Sequence, residues 1–130
     1  MTTFTITSAT ETDAVSLGEA RDVVRATLGE YRTFRRTTQS DEADHFVEVG
    51  AMATYSPDGA LVLLELADPA RAVLEGVQLL GEPVDAPIEA LAAQGVQVVP
   101  DEMGAIIPAL EIGLYAPGGV VEGVGIGSDR

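Results

Sequence analysis

Phe4 and Ile6 alternate with threonines across Thr2–Thr7, the two-residue period of a half-buried strand, and the polar run Ser8–Asp13 follows as a loop. Ala20, Val23, Val24, Thr27 and Leu28 then recur at helical spacing, ahead of Gly29 as a stop. Ser16-Leu17-Gly18-Glu19 has the form of a capping box, in which the serine hydroxyl and the glutamate carboxylate satisfy free N–H groups at a helix start. The pattern predicts a helix over Glu19–Leu28, with Arg21 and Arg25 one turn apart on its polar face.

Beyond Gly29 the period changes. Tyr31–Thr38 is rich in aromatic and β-branched residues and reads as a strand, and Gln39–Asp44 reads as a polar loop. Phe46, Val47 and Val49 begin a new strand that Ala51–Tyr55 continues. Ser56-Pro57-Asp58-Gly59 is turn chemistry, since Pro57 presets φ and Gly59 accepts a positive φ. Ala60–Leu66 returns as a strand too continuously apolar for a face open to water, so a central position is expected. After Asp68-Pro69 the pattern leaves two choices open, a short helix through Leu74 or a strand over Arg71–Glu75. Asp85–Ala93 predicts a second helix, capped by Asp85 with Pro87 in its first turn. Val96–Val99, Ala105–Ile107, Leu110–Tyr115 and Val120–Ile126 read as strands, and Ala116–Gly119 as the turn between the last two.

These elements recur. Tyr55-Ser-Pro-Asp-Gly59 matches Tyr115-Ala-Pro-Gly-Gly119 at an offset of 60, and Leu17-Gly18-Glu19 matches Leu80-Gly81-Glu82 at an offset of 63. The expected fold class is therefore α+β in a single domain over residues 1–130. Two tandem helix-plus-antiparallel-hairpin repeats are expected, at about residues 16–66 and 79–126, with the helices covering one face of a shared or adjoining antiparallel sheet and the other face free for binding.

Leu17–Gly29 (LGEARDVVRATLG) resembles the opening of the SmpA/OmlA-like unit, a glycine-led short helix ending in Leu-Gly before an antiparallel sheet. A doubled unit of this kind is similar to the β-lactamase-inhibitor-protein fold. The resemblance implies a scaffold used mostly for protein binding. The chain departs from it at Ala93-Gln94-Gly95, where Leu-Gly is expected, and in having no cysteine for the inhibitors' disulfides or the outer-membrane units' lipid anchor.

Composition narrows the chemistry. At 130 residues, 46% of them apolar, the chain can bury a core without staples. The absence of cysteine excludes disulfides, thiolate metal sites and cysteine nucleophiles. The N-terminal residues lack the basic and apolar regions of a secretory signal, and no run approaches the ~20 apolar residues of a membrane span, so a cytoplasmic setting is expected. The net charge is −14, and residues 37–129 carry sixteen carboxylates against Arg71 alone. Such a surface repels nucleic-acid backbones and anionic lipid, and attracts a basic protein partner.

Few residues invite chemistry. The only histidine, His45, stands near Asp41, Glu42 and Asp44, but consecutive residues suit a solvated loop better than a metal cage, so no metal or other cofactor is expected. Asp41-Glu42-Ala43-Asp44 spells a helicase box without the lysine-bearing phosphate loop such a box needs; the chain has no lysine. Gly123-Val-Gly-Ile-Gly127 has no helix after it to receive a phosphate, and reads as a terminal strand that another backbone approaches closely. No carboxylate pair stands out for acid–base catalysis.

The candidate binding residues are Tyr55, Asp58 and Tyr115 at the hairpins and Arg32 and Arg35 in the one basic-aromatic stretch (Tyr31–Arg36). The arginines read first as a charged edge strand or as internal ion-pair partners, and otherwise as a patch for an acidic ligand. The sequence thus leads to a non-enzymatic, acidic protein-binding domain, such as an inhibitor or a toxin-neutralising immunity protein. The alternative is a small-molecule-binding or enzymatic domain with its pocket between the repeats, and a third reading is a structural subunit of a homo-oligomer.

Overall fold

Strands dominate the computed structural model of the chain, which describes residues 2–35, 38 and 42–127. Eight of them form one antiparallel sheet in the order β2-β3-β4-β5-β11-β10-β9-β8. The first half of that sheet is β2 (Arg32–Phe34), β3 (Ala43–Phe46), β4 (Ala51–Tyr55) and β5 (Leu61–Leu66). The second is β8 (Val99–Asp101), β9 (Gly104–Ile107), β10 (Ile112–Tyr115) and β11 (Gly123–Gly127). A three-stranded sheet holds β1 (Thr3–Ile6), β6 (Arg71–Leu74) and β7 (Val77–Gln78), with β1 and β6 parallel. The helices α1 (Arg21–Leu28) and α2 (Asp85–Ala92) are eight residues each. The expected α+β fold of two helix-plus-hairpin repeats is thereby corrected: the chain is mostly β, and each half of the large sheet is a four-strand meander.

Two signals hid the extra strands. Val47 and Val49 made residues 46–55 look like one strand, but Val47–Gly50 is a turn between β3 and β4. Gly50 has φ +73°, and a Cβ there would lie 2.2 Å from the Ala67 carbonyl oxygen, so the chain reverses where only glycine fits. The polar loop expected over Gln39–Asp44 also took in Ala43 and Asp44, which open β3. The open choice after Pro69 resolves as strand β6. A 3-10 turn, Pro108–Leu110, precedes β10, which starts at Ile112 rather than Leu110.

The capping box does not form either. Ala20 is the N-cap of α1 and makes no side-chain cap bond. The backbone before it is instead bonded to the β4–β5 hairpin: Gly18 N–H donates to Leu61 C=O, Leu61 N–H to Glu19 C=O, and Arg21 N–H to Gly59 C=O. The same three bonds recur before α2, from Gly81 to Val121, Val121 to Glu82, and Val84 to Gly119. At α2 the N-cap is Val84, not Asp85.

The topology is symmetric about the β5–β11 pair. Glu65 faces Gly125 there, flanked by Leu64↔Ile126 and Leu66↔Val124. Two transverse rows point inward, Asp44–Ala53–Leu64–Ile126–Ile112–Ile107 and Phe46–Ala51–Leu66–Val124–Leu114–Ala105. All twelve side chains are buried, and the apolar ones join one core with Val24 and Leu28 of α1, Leu91 of α2, and Phe4, Ile6, Ala72 and Leu74 of the small sheet. Successive strand residues alternate faces, so the row between them, Arg32–His45–Met52–Glu65–Gly125–Gly113–Ile106–Val99, lies on the outer face.

Glycine is obligatory at few places in this sheet. Gly104 has φ +146°, and its Cβ would lie 2.3 Å from the Leu114 carbonyl oxygen. Gly104→Ala is expected to cost about 2–4 kcal/mol through clash and backbone strain, measured by urea unfolding, whereas Gly113→Ala costs nothing.

Candidate functional site

Two polar or open features stand out on the large sheet, one on each face. The inward one is centred on Asp44, whose side chain is fully buried. It accepts hydrogen bonds from Arg25 Nε at 2.6 Å and Nη2 at 3.1 Å, from Thr33 Oγ1 at 2.7 Å and from Tyr55 Oη at 2.9 Å. The Arg25 guanidinium also lies 4.2 Å from the centre of the Tyr31 ring, and Arg21 pairs with Glu42 at 2.6 Å. Helix α1 is thus tied to β2, β3 and β4 by one charged cluster. Burial alone would raise the Asp44 pKa, but the bonds from Arg25, Thr33 and Tyr55 outweigh it and hold the carboxyl below its usual range. Burial, then the bond to Asp44, pushes the Tyr55 phenol above its usual value. The hydrogen bond to Asp44 holds Arg25 firmly protonated.

Every group in this cluster is engaged by another, and that suits a structural role. The position symmetric to Asp44 in the inward rows is Ala105, so the second half of the sheet has no counterpart.

The second feature is a groove of about 520 Å³ on the outer face. It crosses the β5–β11 seam. Its floor includes Gly113, Gly123 and Gly125; Met52, Met103 and Tyr115 supply apolar lining; and His45, Glu65, Asp68, Asp101 and Glu122 supply the charged or titratable groups. Strand alternation produces the floor, because glycine occupies every second residue of β11 and also its β10 neighbour. Gly113 and Gly125 are opposite each other, neither has a positive φ, and a Cβ built on either meets nothing within 4 Å. The fold therefore does not require glycine there, although glycine inside a strand costs roughly 0.5–1 kcal/mol relative to alanine. What glycine provides at these two positions is an open floor.

The sequence-derived candidates are scattered by this geometry. Tyr115 lines the groove and is 45% exposed. Tyr55, its match in sequence, is fully buried against Asp44. Tyr55 has the inward parity of Ala51 and Ala53 on β4, whereas Tyr115 stands next to inward Leu114 on β10 and so faces outward. Asp58 lies in the β4–β5 turn, where its carboxylate accepts from the Ser56 hydroxyl. Arg32 and Arg35 are exposed at the β2 edge of the sheet, with Arg35 3.9 Å from Glu42; Arg36 lies outside the described residues. Asp44 and His45 point to opposite faces, so the metal candidates do not converge, and Asp41 lies outside the described residues. Of the glycine-rich stretch, Gly127 meets another backbone, its Cβ position lying 2.3 Å from the Val62 carbonyl oxygen.

The sequence reading missed Gly113, Glu65, Met52 and Met103 as groove residues. The alternating glycines of residues 123–127 were the available signal, but their partner Gly113 is separated from them by a hairpin. No family model, curated protein or solved structure matches the chain.

Because the folded-state pKa of Asp44 lies below its unfolded value, its contribution to stability is complete above the ordinary carboxylate range. It is lost as pH falls through the depressed value. Asp44→Ala, which strands a charged guanidinium and a buried phenol, is expected to cost about 3–5 kcal/mol at pH 7. Urea unfolding at pH 7 and then at progressively lower pH should show the gap from the native chain closing only below about pH 4.

Proposed function

We propose that the chain is a non-enzymatic protein-binding domain whose binding surface is the outer face of the eight-stranded sheet. The observation that carries this reading is the pair Gly113 and Gly125, kept bare in mid-strand where neither backbone conformation nor space demands it. Open apolar surface around the groove supports it, since Met103, Ile106 and Tyr115 are all exposed on the second half of the sheet. Exposed aromatic and methionine side chains beside a concave floor are typical anchors of a protein interface. The net charge of −14 favours a basic partner. Inhibitor or immunity protein is the class that fits best, in keeping with the resemblance to β-lactamase-inhibitor proteins. A cytoplasmic setting belongs to the same proposal; among the described residues no helix is long and apolar enough to cross a membrane.

One observation favours a second reading. The groove's volume lies within the roughly 300–1,000 Å³ of small-molecule pockets, and it straddles the seam between the halves. Native mass spectrometry of the protein isolated from its own cells separates the two, because a retained small molecule would shift the intact mass.

The double variant Gly113→Val/Gly125→Val tests the leading reading. It fills the floor with β-branched side chains, so its thermal midpoint should match or exceed that of the native chain. In pull-downs from the protein's own lysate it should lose a basic partner that the native chain retains at low salt and releases at high salt. Equal retention by both proteins, or no salt-sensitive partner at all, counts against the sheet face.

A further inference from the structure

Resting on the sheet-face reading above, we propose that the glycine floor receives an aromatic side chain of the partner protein, carried on a basic segment and laid beside Tyr115. The chain already contains the pairing that this contact repeats. Tyr115 of β10 stands opposite Gly123 of β11, and the Cβ position of Gly123 lies 3.6 Å from Tyr115 Cβ and 3.9 Å from its Cδ2. An aromatic side chain thus leans over a cross-strand glycine and shields backbone that has no side chain of its own. Two residues along the same strands, Gly113 stands opposite Gly125 on the same face. There nothing lies within 4 Å of either Cβ position. One glycine row is covered by an aromatic, and the next is bare on both strands.

The bare row has the spacing and the neighbours of an aromatic site. Same-face residues along a strand are about 6.8 Å apart, so a ring over Gly113 and Gly125 comes within the roughly 4.5–7 Å at which aromatic rings pack on one another. Among the described residues Tyr31 and Phe46 form the only aromatic ring pair, so the half-exposed Tyr115 has no ring beside it. Met103, 58% exposed, also lines the groove and offers a thioether to a ring edge. An aliphatic side chain would cover the floor and gain neither contact. Charge decides what carries the ring. Asp68, Asp101 and Glu122 line the same groove and are exposed, and His45 is its only basic lining residue. Lysine or arginine beside the aromatic residue is attracted to this rim, and aspartate or glutamate there is repelled.

The chain has no tryptophan, so an added indole reports alone. The experiment titrates the full chain with capped Lys-Trp-Lys, Lys-Leu-Lys and Glu-Trp-Glu, followed by nitrogen-15 NMR and indole fluorescence. Lys-Trp-Lys should give saturable shifts at the Gly113 and Gly125 amides, upfield ring-current shifts of their α protons, and a blue-shifted indole emission. Lys-Leu-Lys keeps the charge and Glu-Trp-Glu keeps the ring; each should bind about tenfold more weakly. Gly125→Val, which fills the floor, should abolish the Lys-Trp-Lys response. Equal binding by either control peptide, with shifts still confined to the groove, overturns the basic-aromatic assignment and leaves the sheet face as the binding surface. Undiminished binding of Lys-Trp-Lys to Gly125→Val also overturns it, as do shifts away from the groove or none at millimolar peptide. The lysate pull-down with the glycine double variant decides the sheet-face reading independently.

Discussion

The pairing of β5 with β11 is the constraint on which the rest of the architecture depends. It joins two four-strand meanders edge to edge, and it does so antiparallel, so the two halves are related by an approximate twofold through Glu65 and Gly125. Register here is not free. A slip of one residue would send Leu64, Leu66, Val124 and Ile126 to solvent and bring Glu65 into the core. Burial of those four side chains therefore fixes the register, and the register in turn places Glu65 opposite Gly125 of the groove floor.

The halves differ in how the core meets the sheet. In the second half the inward positions are alanine, valine, leucine and isoleucine. In the first, Asp44 takes the place that Ala105 holds on the other side, and it draws in Arg25, Thr33 and Tyr55. A buried ion pair of this kind adds little net stability over an apolar replacement, because desolvation offsets most of the attraction. Its effect is positional: a bidentate arginine fixes the orientation of α1 over β3, which a set of aliphatic contacts would leave looser. The inward Tyr55, which has an exposed tyrosine as its sequence match in the other half, belongs to the same local departure.

Much of this was legible from the sequence where the hydrophobic period was clean. Both helices, β1 and the central place of β5 followed from spacing and turn residues, while β4 was read only as the continuation of a strand begun at Phe46. Elsewhere, tertiary contacts overrode local signals. Ser16–Glu19 has the residues of a capping box, but its backbone is bonded to the β4–β5 hairpin, so the helix starts later. Ala43-Asp44-His45 carries no apolar alternation because its inward residue is a paired aspartate, and β3 was hidden for that reason. Tyr55 and Tyr115 align perfectly as letters yet face opposite ways, because Tyr55 shares the parity of inward Ala53 whereas Tyr115 is the neighbour of inward Leu114. The groove depended on a cross-strand neighbour, Gly113 against Gly125, and no local window contains both.

For the binding role proposed above, a floor made of glycine backbone has consequences for the cost and speed of recognition. Side chains at most interfaces surrender rotamer freedom when a ligand arrives, at about 0.5–1.5 kcal/mol each. Gly113 and Gly125 have no rotamers to surrender, and their backbones are held between paired strands on both sides. The receiving surface is set before the encounter, so little of the binding energy goes into organising it. For the basic partner proposed above, association would then be governed by diffusion and long-range attraction rather than by rearrangement, with ionic strength acting chiefly on the on-rate.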